Sequence, residues 1–180
     1  MREVRIIDNA IEIPGAYRSC ALNREFKTFE FPEATFHGIS PIESESVPLA
    51  LIPGGGTATL SFFRKSPLGQ EEPHFIHTDV DMGDWSAILY LNPQPPEGDG
   101  TSFWTHKATG AIESFIPHER SEEGRTAQGW ELRRHIQAKF NRLVVFPSSF
   151  FHSRAIPENW GEGEEARLTQ VTFGKGEIFG

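Results

Sequence analysis

The run Trp85-Ser86-Ala87-Ile88-Leu89-Tyr90-Leu91 is strongly apolar and is stopped at once by Asn92-Pro93. Its length suits a strand better than a helix, and Asn-Pro is turn chemistry. The same pattern repeats on both sides. Before it, Thr57 to Lys65 is β-branched and aromatic and follows the turn Gly54-Gly55-Gly56, and His74 to Asp81 is short and alternating. After it, Thr101 to Thr105 follows a Pro/Gly-rich turn, Arg142 to Phe146 is a second apolar run ended by Pro147, and Arg167 to Phe173 is the last. Short strands separated by Pro and Gly turns predict a β-sandwich or jelly roll.

The flanks read differently. Residues 3–8 predict a short strand, and Pro14 to Asn23 a helix with Pro at its start. Residues 29–48 hold three Pro without clear periodicity and are assigned to a surface wrap. Trp130 to Phe140 reads as a helix or as an irregular approach to the next strand, with helix preferred. The triple glycine is read as a turn, because no Gly-Lys-Ser/Thr follows it and Thr57 opens a strand. The expected architecture is mainly β: a double-stranded β-helix core over residues 49–176, with an N-terminal helical flank over 1–48 bracing the larger sheet.

At 180 residues and 20.2 kDa, the chain fits one domain with a real core. A net charge of −8 argues against nucleic acid as a partner, since backbone phosphates need clustered Lys and Arg. The single Cys20 excludes an intrachain disulfide and any multi-cysteine metal site, and fits a reducing, cytoplasmic setting. The N-terminus, Met1-Arg2-Glu3-Val4-Arg5, has no apolar leader, and no run approaches the roughly 18 apolar residues of a membrane helix. The expectation is a soluble protein with no membrane partner.

Metal chemistry is suggested by His77-Thr78-Asp79. In a strand, alternate residues share a face, so both side chains can meet one ion. Two imidazoles and one carboxylate leave coordination positions open, which is the non-haem iron(II) oxygenase arrangement. His152 is the best third ligand, because it follows the apolar run and turn Val144-Val145-Phe146-Pro147-Ser148-Ser149-Phe150-Phe151. Alone the tripeptide is weak, since random placement of seven His and five Asp in 180 residues gives about 0.2 such pairs. Shifted pairs are less suitable. His74 and His77 would point to opposite faces, and Asp81 lies one pleat beyond Asp79.

Arg167 and Thr169 share one face of the last strand with Val171 and Phe173. An inward Arg is costly unless it meets an anion. Its fork matches a carboxylate, with the Thr hydroxyl as a second donor, as the distal carboxylate of 2-oxoglutarate requires. The alternative is a surface pair with Glu164 or Glu165. His37, His106, His118 and His135 are assigned to surface or loops, Phe150 and Phe151 to cavity wall, Trp85 and Trp104 to packing, and Arg64 to a solvated or paired state.

Together these stretches resemble a known family. His77-Thr78-Asp79, Ile88-Leu89-Tyr90-Leu91-Asn92 and Gly98-Asp99-Gly100-Thr101-Ser102-Phe103 look like the iron-binding half of the prolyl-hydroxylase-like 2-oxoglutarate/iron(II) oxygenases. There a His-x-Asp precedes a Tyr-Leu-Asn strand end and a Gly-Gly-x-Thr-x-Phe turn. Asn141 to Pro147, His152 and Arg167-Leu168-Thr169 resemble the second half, so the likeness runs over about residues 74–174 in family order. Ile7-Asp8-Asn9 with Pro14 also looks like the leader of bacterial members. The resemblance implies iron(II) held by His77, Asp79 and His152, and 2-oxoglutarate held by Arg167 with Thr169 and the Tyr90 hydroxyl. It implies dioxygen as oxidant, succinate and carbon dioxide as products, and hydroxylation of a C–H bond. Halogenating relatives usually replace the carboxylate that Asp79 supplies. Two departures stand out: the Gly-Gly turn is Asp99-Gly100, and the His152-to-Arg167 spacing is long, with Glu158 to Glu165 accounting for the excess as a loop.

Two other classes compete with this reading. A cupin-like metal-binding jelly roll, non-enzymatic or hydrolytic, usually relies on three or four His with a Glu. A metal-free ligand-binding sandwich leaves Arg167, Thr169 and the histidines without a role. The substrate, a small molecule or a peptide or protein side chain, is not encoded in any pattern of the loops 29–48, 64–74 and 105–130.

Overall fold

The computed structural model describes residues 3–32, 34–117, 119–120 and 122–179; His118, assigned above to a loop, lies outside them. The chain forms β1 (Arg5–Asp8), α1 (Pro14–Leu22), β2 (Lys27–Glu30), β3 (Thr35–Ile42), β4 (Thr57–Ser66) and β5 (Trp85–Tyr90). It continues through β6 (Gly100–His106), β7 (Trp130–Gln137), β8 (Arg142–Pro147), β9 (His152–Arg154) and β10 (Arg167–Lys175). Seven strands make one sheet in the order β1-β8-β5-β10-β4-β3-β2, and three make a second in the order β7-β6-β9. Every strand pairing among the described residues is antiparallel.

Register decides which side chains face inward. Ser86, Ile88 and Tyr90 of β5 stand opposite Phe173, Val171 and Thr169 of β10, and the first two also oppose Phe146 and Val144 of β8. With period 2, these residues share one face of the large sheet. Against that face pack Phe103, Ile136 and Phe150, forming an inner cluster with Tyr90, Val144 and Phe146. The opposite face, carrying Trp85, Ala87, Leu89, Leu143, Val145 and Leu168, is covered by Ala21, Tyr17 and Leu22 of α1. Tyr17 donates its hydroxyl to Gln170 Oε1 at 2.6 Å, tying α1 to β10. Both faces of β5 are therefore buried, which is why its sequence is an unbroken apolar run.

Several expectations need correction. The N-terminal flank is mostly strand: α1 is its one regular α-helix among the described residues, while β1, β2 and β3 join the large sheet. Residues 29–48 are not a wrap, because β3 pairs with β2 and β4. Gly38 and Pro41 inside β3 disguised it. Gly38 has φ +67°, and a Cβ there would lie 1.9 Å from the Lys65 carbonyl oxygen, so only glycine fits the kink. Trp130–Gln137 is strand β7, not helix, since pairing along β6 overrides the helix preference of Glu131, Leu132, Arg133 and Arg134. Within 74–81, only His77 enters a ladder, through a single bridge to His152. His106 is buried rather than surface, with Nε2 2.7 Å from Glu123 Oε2 and Nδ1 2.9 Å from Thr109 Oγ1.

Candidate metal centre

The chain crosses itself at residues 77 and 152. His77 N donates to His152 O at 3.0 Å, and His152 N returns a bond to His77 O at 2.9 Å. Two residues on, Asp79 N donates to Ser148 O at 2.8 Å, and a turn then closes from Met82 N to Asp79 O at 2.9 Å. These few bonds do the work expected of a continuous strand. They fix residues 77 and 79 at alternate positions beside the start of β9, and both side chains turn to one point.

There, ligand atoms of His77, Asp79 and His152 lie within 4.8 Å of one another. His77 Nε2 is 3.4 Å from Asp79 Oδ1, and His152 Nε2 is 3.2 Å from Asp79 Oδ2. Each imidazole places Nδ1 3.0 Å from a carbonyl two residues earlier, Phe75 O for His77 and Phe150 O for His152. A carbonyl only accepts, so Nδ1 carries the proton and the neutral ring offers its Nε2 lone pair to the shared point. Backbone-oriented imidazoles beside a hydrogen-bonded carboxylate are the donor set of a first-row metal site. Ser86 Oγ donates to Asp79 Oδ2 at 2.9 Å and lies 2.8 Å from Ser148 Oγ, so the carboxylate is oriented as well. The His152 ring sits beside Phe146 at 4.6 Å and His77 at 4.5 Å between centroids. Asp79 and His152 are buried, while His77 is half-buried and marks the open side.

The local field suits a cation. Burial opposes the charge on Asp79, but His152 and His77 outweigh it and hold the carboxyl far below the usual range. Burial likewise lowers His77, and the hydrogen bond and charge of Asp79 outweigh it, leaving the imidazole above its ordinary value. His74 stacks near His77, with ring centroids 5.8 Å apart, and is not among the three converging groups.

The expected anion site lies along the same inner face. Thr169 is the cross-strand partner of Tyr90, and Ser86, beside Asp79, lies four residues from Tyr90 on β5. That spacing corresponds to about 13 Å of strand. Arg167 follows on the face of Thr169, buried at 9% exposure, with its guanidinium carbon 6.0 Å from the centre of the Tyr90 ring. Glu165 instead faces Arg18, Oε1 to Nη2 3.8 Å, so the surface pairing considered for Arg167 is not formed with it. Arg167 Nε donates to Asp99 Oδ1 at 3.1 Å. The Tyr90 hydroxyl meets Thr101 Oγ1 of the small sheet, and burial pushes Tyr90 up to about 12, so it stays a donor. Arg64 is paired, with Glu72. A cavity of about 440 Å³ opens nearby, lined by Leu68, Gln70, Glu72, Arg154, Glu158 and Asn159 among others.

Asp99, Ser86 and Thr101 were not singled out from sequence as site residues. Ser86 had a faint signal as the polar residue in an apolar run. Asp99 appeared only as a departure from a glycine turn, and nothing in the sequence linked it to Arg167, 68 positions away.

Comparison with known proteins agrees with this architecture. The family described as "Family of unknown function (DUF6445)" matches residues 64–173. No curated protein sequence matches the chain. Among solved structures, HygX from Streptomyces hygroscopicus with nickel, 2-oxoglutarate and hygromycin B bound is similar, with TM-score 0.55 and 12% identity, over 96% of this chain and 82% of that one. The non-heme alpha ketoglutarate dependent carbocyclase SnoK from nogalamycin biosynthesis gives TM-score 0.61 at 11% identity, over 96% and 79%. A Pseudomonas putida prolyl-4-hydroxylase gives TM-score 0.55 at 17% identity, over 97% and 92%. The fold is that of the 2-oxoglutarate-dependent dioxygenases, a jelly roll.

Proposed function

Because this chain belongs to the family of unknown function DUF6445 and has the fold of 2-oxoglutarate-dependent dioxygenases, we propose that it is a 2-oxoglutarate-dependent iron(II) oxygenase hydroxylating a C–H bond of its substrate. The observation that carries this is the convergence of two Nε2 lone pairs and one carboxylate within 4.8 Å, with a buried arginine on the same inner face. His77, Asp79 and His152 hold the metal. Iron(II) bound there supplies the oxidative chemistry, in which dioxygen and 2-oxoglutarate give succinate, carbon dioxide and a hydroxylated product.

The protein's own part is binding, orientation and exclusion of water. Arg167 receives the distal carboxylate of 2-oxoglutarate in its fork, with the hydroxyls of Thr169 and Tyr90 as further donors. Phe146 packs on the His152 ring and Phe103 on Phe146, which keeps that side of the metal centre apolar. The substrate is a small molecule or a peptide or protein side chain. Likeness to a protein crystallised with hygromycin B and to a prolyl-4-hydroxylase fits that range. The free, exposed thiol of Cys20 fits a reducing compartment such as the cytoplasm.

The test is direct. Purified protein given iron(II), ascorbate and 2-oxoglutarate should form succinate slowly without added substrate, and His77→Ala and Asp79→Ala should abolish it. In calorimetry, Arg167→Ala should weaken 2-oxoglutarate binding about 10-fold or more. Undiminished turnover in either ligand variant overturns the assignment.

A further inference from the structure

A buried arginine reaches its ligand only if something fixes the direction of its long side chain, and Arg167 is fixed from the opposite sheet. It stands on β10 of the large sheet, whereas its partner Asp99 immediately precedes β6 of the small sheet. Both are buried, Asp99 at 2% and Arg167 at 9% exposure. Asp99 is itself held by its backbone: its N donates to Pro96 O at 3.2 Å, and its carbonyl accepts from Ala138 N at 2.7 Å. The next residue leaves no latitude either. Gly100 has φ +149°, and a Cβ there would fall 1.9 Å from Ile136 O. The carboxylate is therefore presented from a rigid corner.

The neighbouring charges have other partners. Arg64 pairs with Glu72, and Arg154 donates to the carbonyls of Pro157 and His74. The bond to Asp99 takes one of the five N–H donors of the guanidinium, at Nε. The four on the terminal nitrogens are those that a bound carboxylate can take.

We propose that Asp99 is a positioning residue for the cosubstrate, holding Arg167 by Nε so that its terminal nitrogens, together with Thr169, receive the distal carboxylate of 2-oxoglutarate. This rests on the oxygenase reading above. Asp99 does not touch the cosubstrate and acts through Arg167. An Asn at 99 keeps an acceptor oxygen at the same reach, whereas Ala removes it.

The experiment is anaerobic calorimetric titration of the iron(II)-loaded protein with 2-oxoglutarate, alongside succinate formation at saturating 2-oxoglutarate. Asp99→Ala should raise Kd at least 10-fold while the saturated rate stays within 3-fold of wild type. Asp99→Asn should keep Kd within 3-fold, a rescue that a need for the buried charge alone does not give. Wild-type protein that binds no 2-oxoglutarate sinks the oxygenase reading itself. If wild type binds, a Kd within 3-fold in Asp99→Ala, or Asp99→Asn as weak as Asp99→Ala, overturns the positioning role alone. Should Asp99→Ala not fold, Asp99→Ser, whose oxygen falls short of Nε, replaces it with the same two outcomes.

Discussion

Both imidazoles of the candidate metal centre are aimed in the same way, each by a carbonyl two residues before it, and the carboxylate between them is aimed by a serine. Such outer contacts typically contribute 10- to 100-fold to metal affinity. Ser86→Ala should therefore weaken iron(II) or manganese(II) binding by about 10-fold and cost about 1–3 kcal/mol in stability, because buried Asp79 and Ser148 each lose a hydrogen-bond partner. Metal titration followed by calorimetry checks it. The raised pKa of His77 makes a second prediction. Without metal, a proton competes for the lone pair, so apparent metal affinity should fall as pH drops from 8 to 6. The stability of the metal-free protein should move the other way. A histidine raised by folding contributes fully below its unfolded value of about 6.5, and the contribution fades as pH climbs through the higher folded value. Metal titrations at the two pH values should show the first sign and melts of metal-free protein the second, and metal binding that is indifferent to pH would count against the orientation assigned to His77.

Among the elements, β1 is tied to β8 by a carboxylate in addition to its backbone ladder. Asp8 accepts from Arg142 Nε at 2.7 Å and Nη2 at 3.1 Å, with Lys139 Nζ also at 3.1 Å. The hydrogen bond from Arg142 leads in holding Asp8 down to about 2. Its stabilisation is present above the unfolded value of 3.8 and disappears as pH falls toward 2. Because the pair is largely exposed, Asp8→Ala should cost only about 0.5–1 kcal/mol in urea unfolding at pH 7, shrinking in acid. Elements also show what could be read in advance. The strands β4, β5, β8 and β10 were legible because their apolar or β-branched runs end at Gly, Asn-Pro or Pro. β7 was not, since Glu131, Leu132, Arg133 and Arg134 favour helix in isolation and only the partner β6 makes them a strand. β3 was hidden by Gly38 and Pro41, whose roles exist only against β4. The convergence of His77, Asp79 and His152 was legible by motif, whereas isolated backbone bonds, not the regular strand expected, hold residues 77 and 79. Asp99 was illegible as the partner of Arg167, because a contact between sheets leaves no periodic trace.

For the molecule as a whole, the inner cluster joins the two sheets and walls the site at once. Phe103 of β6 packs edge-on against Phe146 of β8, 5.2 Å between centroids, and Phe146 in turn packs against His152. Phe103→Ala should cost about 3–5 kcal/mol in unfolding and lower metal affinity with it, since the cavity opens beside a ligand. Iron(II) with 2-oxoglutarate should raise the melting temperature, as about 2.7 kcal/mol accrues at 100 times Kd. Wild-type protein whose melting is unmoved by the pair argues against the site. The clasp between residues 77 and 152 is made of main chain, so it survives whatever side chains those positions carry. Exchanging one imbedded ring for a methyl group should blank the reaction and leave the frame standing. Such a twin is a bait: it can hold the passenger that the working form converts and lets go, and mass spectrometry can then read what it has caught.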